Sequence, residues 1–124
     1  MDLNQVTLPA VDLRDSVDFY TRMGFVQIVD SLHYARFECP DGDATFSLHT
    51  VDTAPSPSGV TIYFEHDALD ELYADLRARG FEFEQAPHDR SWLWREAILI
   101  DPAGNRICLY RAGENRKQPP WRMA

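Results

Sequence analysis

Apolar residues recur along this chain with two alternating periods, and the switches between them outline its elements. The stretch from Gln5 to Val29 reads QVTLPAVDLRDSVDFYTRMGFVQIV, and the stretch from Val60 to Gln85 reads VTIYFEHDALDELYADLRARGFEFEQ. Each runs strand, aspartate, amphipathic helix, glycine, phenylalanine, strand. In the first, Asp12 is placed to cap a helix and Asp15 sits in its first turn, where the helix dipole favours an acid. Leu13, Val17 and Tyr20 then fall on one helical face with Met23 just behind, and Gly24 supplies the left-handed stop. In the second, Asp67 is the expected cap and Asp70 the first-turn acid. Leu69, Leu72, Tyr73 and Leu76 form the stripe, and Gly80 the stop.

Period-two segments follow each helix. After the first come VQIVD, HYARFECP and ATFSLHT, with a Pro40-Asp41-Gly42-Asp43 turn between the last two. After the second come FEFEQ, WLWREAILI and RICLYR, the last pair joined by Asp101-Pro102-Ala103-Gly104-Asn105. Both turns carry a glycine available for positive φ. Strand–helix–strand–strand–strand written twice predicts an α+β fold of two βαβββ modules, whose curved mixed sheets enclose a cleft. Module one spans about 1–53, the Pro/Ser-rich segment 54–59 links, and module two spans about 60–110, all within one domain. A tail, 111–124, lies outside the repeat, with Trp121 as its expected anchor and Pro119 and Pro120 stiffening it.

Composition narrows the function. A 124-residue chain with 44% hydrophobic residues supports a single folded domain. A formal charge of −8 disfavours nucleic acid and anionic membranes as partners. The beginning of the chain shows no export-signal pattern and no window reads as a membrane span, which predicts a cytoplasmic protein. Two cysteines, Cys39 and Cys108, read as reduced thiols rather than a disulfide framework.

The segments VDLRDSVDFYTRMGF, LDELYADLRARG and WREAILIDPAGNRICLY, in this order and spacing, resemble the vicinal oxygen chelate superfamily. It holds glyoxalase I, extradiol dioxygenases, fosfomycin-resistance enzymes and bleomycin-resistance proteins. LDELYADL together with SWLWREAILIDPAGN resembles the bleomycin-resistance branch most closely. For the metal-using members, the resemblance implies one ligand on each of four strands facing the cleft. Those positions fall here on Gln5, Ser47, Thr61 and Cys108. Three of the four are poor donors for a hard or borderline cation, so the resemblance implies that the usual metal site is missing. Cys108 is expected as a small buried hydrophobe. A shifted site remains open as an alternative. His49 shares a strand face with Ser47, Glu65 shares one with Thr61, and Gln5 would complete a divalent-metal centre.

For the bleomycin-resistance branch, the resemblance implies a homodimer that sequesters a large cationic drug in an aromatic groove without turning it over. The candidate ligand-binding set is therefore Gln5, His49, Tyr63, Glu65, Trp92, Trp94, Cys108 and Tyr110. Trp92 and Trp94 are expected to alternate on one strand and stack on a planar or cationic ligand. His33, His66 and His88 are expected at solvent-exposed turns or strand edges. A metal-free small-molecule binder, a metal-dependent lyase or dioxygenase, and a metal-free enzyme using Glu65 or a tyrosine as base stand as the competing functions.

Overall fold

The structure, a computed structural model, describes residues 1–124. It holds eight strands and two α-helices in the order β1 (Gln5–Ala10), α1 (Leu13–Met23), β2 (Val26–Asp30), β3 (Tyr34–Glu38), β4 (Thr45–Thr50), β5 (Thr61–Glu65), α2 (Leu69–Ala78), β6 (Gln85–Asp89), β7 (Arg95–Ile100) and β8 (Arg106–Arg111). A 3-10 turn, Gly113–Arg116, follows. The expected α+β architecture of two βαβββ modules is what the chain adopts. The sheets are ordered β1-β4-β3-β2 and β5-β8-β7-β6. In each, the first strand pairs in parallel with the last and the other pairings are antiparallel.

By its contacts the chain divides into two compact units. The first is Met1–Gly59 with Asp101–Asn105, and the second is Val60–Ile100 with Arg106–Ala124. In unit one, Asp12 caps α1 as its spacing predicts, its carboxylate accepting the Asp15 N–H at 3.1 Å, a bond worth about 1 kcal/mol. Gly24 takes φ 110°, which lets Phe25 N–H reach back to the Tyr20 carbonyl. The helix-facing side of the sheet buries Leu8, Ala35, Phe37, Phe46 and Leu48. Tyr20, fully buried, packs its ring 5.0 Å from Phe46, and Phe46 stacks on Phe37 at 5.2 Å.

Asp101 completes this unit. It is 4% exposed and accepts the Tyr20 hydroxyl at 2.6 Å on one oxygen. That oxygen also accepts Asn105 Nδ2 at 2.7 Å, while the other takes the Ala103 and Asn105 N–H groups at 2.9 and 2.8 Å. Burial, with the adjacent Asp101 charge, raises the Tyr20 pKa far above the usual phenol range, so this hydroxyl remains a donor.

Unit two departs from the sequence reading in three places. The cap of α2 is Ala68, not Asp67, and no side chain caps it; instead His66 Nδ1 accepts the Ala68 N–H at 3.1 Å. The second strand of the module is Gln85–Asp89 rather than FEFEQ. Phe81, although it begins an alternating run, is buried and returns its N–H to the Leu76 carbonyl at 3.0 Å, closing the helix beside Gly80 at φ 94°. The strand that does form carries Pro87 and lies at the sheet edge, where a missing N–H breaks no inner ladder. Finally, WLW is not strand. Arg90 N–H bonds the Trp94 carbonyl and Leu93 N–H the Arg90 carbonyl, a tight turn that holds Leu93 at φ 67° and starts β7 only at Arg95.

Candidate functional site

Strand parity separates the two faces of each sheet. In unit two Ile107 and Leu109 are buried on one face, while Tyr63, Cys108 and Tyr110 belong to the other. Register sets the second face in rows. His88, Glu96, Tyr110 and Glu65 form one row, and Ile98, Cys108 and Tyr63 form the next.

Aromatic rings dominate this face. Trp94 stacks on Tyr110 with centroids 4.7 Å apart and planes 27° off parallel. Tyr63 stands edge-on to both, at 6.0 and 5.5 Å. Tyr63 is 50% exposed and Trp92 38%, so a ligand can reach both from solvent. Trp92 does not share a strand face with Trp94, contrary to the sequence expectation, because it sits in the turn. Its indole N–H donates to Glu96 Oε2 at 2.8 Å, and the Arg90 guanidinium lies 4.3 Å from its ring centroid. Arg90 also donates to His88 Nε2 at 2.8 Å, which leaves His88 Nδ1–H to face the Ala86 carbonyl at 3.0 Å. His66 and His88 are half-buried rather than solvent-exposed; His33 is exposed as expected.

Glu65 is engaged with the tail. Its Oε2 accepts the Ala112 and Gly113 N–H groups at 2.8 and 2.9 Å, and Arg116 stands 3.8 Å from its other oxygen. Trp94 Nε1–H donates to the Asn115 carbonyl at 3.3 Å. These bonds attach the residues after β8, whereas Trp121, the anchor expected from sequence, is 58% exposed.

Cys108 is buried, as its sequence context predicts. Burial, reinforced by the Glu96 charge, pushes its thiol up to about 12. The half-buried Cys39 is raised as well, by burial and then Asp41. A disulfide-exchange reagent at about pH 8 should therefore react slowly with Cys39 and reach Cys108 only after denaturation. The C39S protein should be silent until unfolded. A C39S chain that reacts natively at the rate of a free thiol would contradict this placement.

In unit one the corresponding face carries polar groups. Gln5 and Ser47, two of the positions implied for metal ligands, are joined: Gln5 Nε2 donates to Ser47 Oγ at 2.5 Å. Thr45 Oγ1 donates to the Gln5 amide oxygen. Ser47 Oγ also lies 2.5 Å from Tyr34 Oη, which accepts Arg36 Nε–H at 3.0 Å. His49 lies on this face but opposite Pro9 and Tyr34, while Gln5 pairs with Thr45. Tyr34 and Arg36 were missed in the sequence, although HYARF alternates and antiparallel pairing sets Arg36 directly against Ser47.

These donors fit a divalent metal poorly. Both ends of the Gln5 amide are engaged, the Ser47 hydroxyl is fully buried and bonded, and the Cys108 thiol holds its proton. Within neither unit do three His, Cys, Asp or Glu side chains come together.

The family model described as the Glyoxalase/Bleomycin resistance protein/Dioxygenase superfamily matches residues 2–109. The uncharacterized protein YraH of Bacillus subtilis (strain 168) is 27% identical over 128 residues, covering 90% of this chain and 98% of its own. Among solved structures, a glyoxalase/bleomycin resistance protein/dioxygenase from Nocardioides is 25% identical with a TM-score of 0.81, covering 100% of this chain and 90% of that one. A bleomycin-binding protein complexed with bleomycin is 22% identical with a TM-score of 0.77, covering 90% of this chain and 98% of that one, a likeness of fold.

Proposed function

Because this chain belongs to the Glyoxalase/Bleomycin resistance protein/Dioxygenase superfamily, we propose that it acts as a cytoplasmic, metal-free small-molecule-binding homodimer of the drug-sequestering kind. The observation that carries this reading is the aromatic face of unit two. Exposed Tyr63 and part-buried Trp94 offer ring surface, backed by the buried Tyr110, and the buried Glu96 carboxylate, which accepts the Trp92 indole N–H, lies in the same row as Tyr110. Flat aromatic or cationic groups gain roughly 0.5–2 kcal/mol from each such ring where water is excluded. Exposed Val26 and Ile28 on the edge strand β2 support a partner copy, since apolar edges are commonly covered. The reading of a lyase or dioxygenase with a metal on Gln5, His49 and Glu65 gains no support, because Glu65 Oε2 already holds two backbone N–H groups.

Bleomycin is the natural first probe, given the bleomycin-bound relative. Titrating it should quench tryptophan fluorescence to saturation, and W94A should weaken binding by about tenfold. No saturable quenching up to about 1 mM would exclude that ligand. Protein purified without chelator and supplied with nickel, zinc, iron and manganese should retain far less than one metal per chain. Near-stoichiometric retention would overturn the metal-free reading.

A further inference from the structure

The polar face of unit one has its own chemistry, separate from the aromatic face. Ser47 is fully buried, so its hydroxyl hydrogen must find an acceptor within the protein. Its oxygen already accepts from Gln5 Nε2, an amide whose orientation is set by Thr45 donating to the other end. The remaining acceptor at bonding distance is Tyr34 Oη, 2.5 Å away. Tyr34 Oη thus receives two donors, Ser47 Oγ–H and Arg36 Nε–H. With its lone pairs engaged, the phenol directs its own hydrogen outward. The half-buried Arg36 spends Nε on Tyr34, and its guanidinium carbon lies 5.4 Å from the Tyr34 ring centroid. It joins no ion pair, although the chain carries 20 acidic residues. A cation left unpaired on an acidic protein, next to a pre-aligned O–H donor, is suited to an incoming anion.

We propose that this face of the first sheet is a receptor for a small carboxylate, held by the Tyr34 hydroxyl and the free edge of the Arg36 guanidinium. Gln5 and Ser47, at positions that the resemblance implies for metal ligands, here serve as a brace that aims the phenol. Two donors to its oxygen also favour the ionised phenol, and the Tyr34 pKa lies below the ordinary tyrosine value, chiefly through the Ser47 bond and then Arg36. Carboxylate binding is therefore strongest where Tyr34 keeps its proton and weakens as pH rises through that lowered pKa. The other charged groups on this face are His49 from β4, directly opposite Tyr34, and Glu38 on β3 itself. β1 contributes no titratable side chain, and Asp30 of β2 pairs with Ala35 on the opposite face.

The test follows the Arg36 Nε–Hε signal of the full-length 15N-labelled chain during titration with benzoate, with neutral benzamide as control. Benzoate should produce a saturable shift and benzamide none. R36Q should weaken benzoate by about tenfold or more, followed on the remaining resonances of the face, and R36K by less, because a charge persists without the fork. Y34F should weaken binding about fivefold and remove the decline in affinity seen in the parent toward about pH 10. W94A, whatever it does to ligands of the aromatic face, should leave the benzoate affinity at the parental value, and a folded W94A chain that loses benzoate would overturn the placement on unit one. The proposal is overturned if benzamide binds equally, if benzoate gives no saturation by about 20 mM, or if R36Q, folded by circular dichroism, binds as the parent does. A Y34F chain that keeps the parental pH decline assigns the titration elsewhere and overturns the part given to Tyr34.

Discussion

Asp101→Ala should lower the melting temperature by about 10–15 °C, following a loss of about 3–4 kcal/mol. The side chain is almost wholly buried and accepts four hydrogen bonds, from Tyr20, from both the backbone and the side chain of Asn105, and from Ala103. Truncation leaves the Tyr20 hydroxyl and the turn's N–H groups without an acceptor in a site closed to water. Asn105 Nδ2 keeps its second bond, to the Pro9 carbonyl at 2.9 Å, which limits the damage on that side. Y20F removes one donor and leaves the carboxylate three others, so it should cost only about 1–2 kcal/mol. The double variant should fall well short of the sum, since the two changes delete the same contact. Thermal melts followed by circular dichroism measure all three. An Asp101→Ala chain less than about 1 kcal/mol below the parent would mean that the turn is not held as described.

Phe46→Ala is the second large effect, at about 3–5 kcal/mol. The ring is fully buried between the strands and α1, 5.0 Å from both Tyr20 and Phe25 and stacked on Phe37. Three aromatic neighbours around one vacated volume collapse poorly, which sets the cost near the upper end of truncations. F46L restores most of the volume without the ring geometry and should cost about 1–2 kcal/mol. Urea unfolding should show the midpoint of F46A falling far below that of F46L, and equal midpoints would argue that the site repacks freely.

Much of this architecture was legible in the chain itself because its punctuation is local. Asp12 and Gly24 act on residues within one helical turn, so their roles in α1 follow from spacing, and the Gly24 φ is the one a left-handed stop requires. The burial of Cys108 also followed from its place in an alternating strand. What escaped depends on groups distant in sequence. Phe81 and Phe83 alternate like a strand, but Phe81 is drawn under α2 by its bond to Leu76, and that displaces β6 toward Gln85. Trp92 and Trp94 share parity on paper, yet a turn with Leu93 at positive φ separates them, and a leucine gives no warning of that conformation. Asp67 looks like a cap and is displaced by one residue, with the imidazole of His66 serving the helix end. The polar face of unit one was half legible: Gln5 and Ser47 were identified, but Tyr34 and Arg36 join them only through the β3–β4 register.

The assignment of Asp101–Asn105 to the first unit bears on how the chain is born. Residues 1–59 emerge from the ribosome carrying Tyr20 with its hydroxyl unmatched, and its acceptor follows only after the whole stretch 60–100 has been synthesised. At about 5–20 residues per second, the nascent first module waits roughly two to eight seconds for that acceptor. During that interval an incomplete hydrophobic core is open to chaperones and to neighbouring nascent chains. A gene cut at the 54–59 linker would make the condition permanent for the N-terminal half, so the separate halves should be poorly soluble alone and recover when synthesised together.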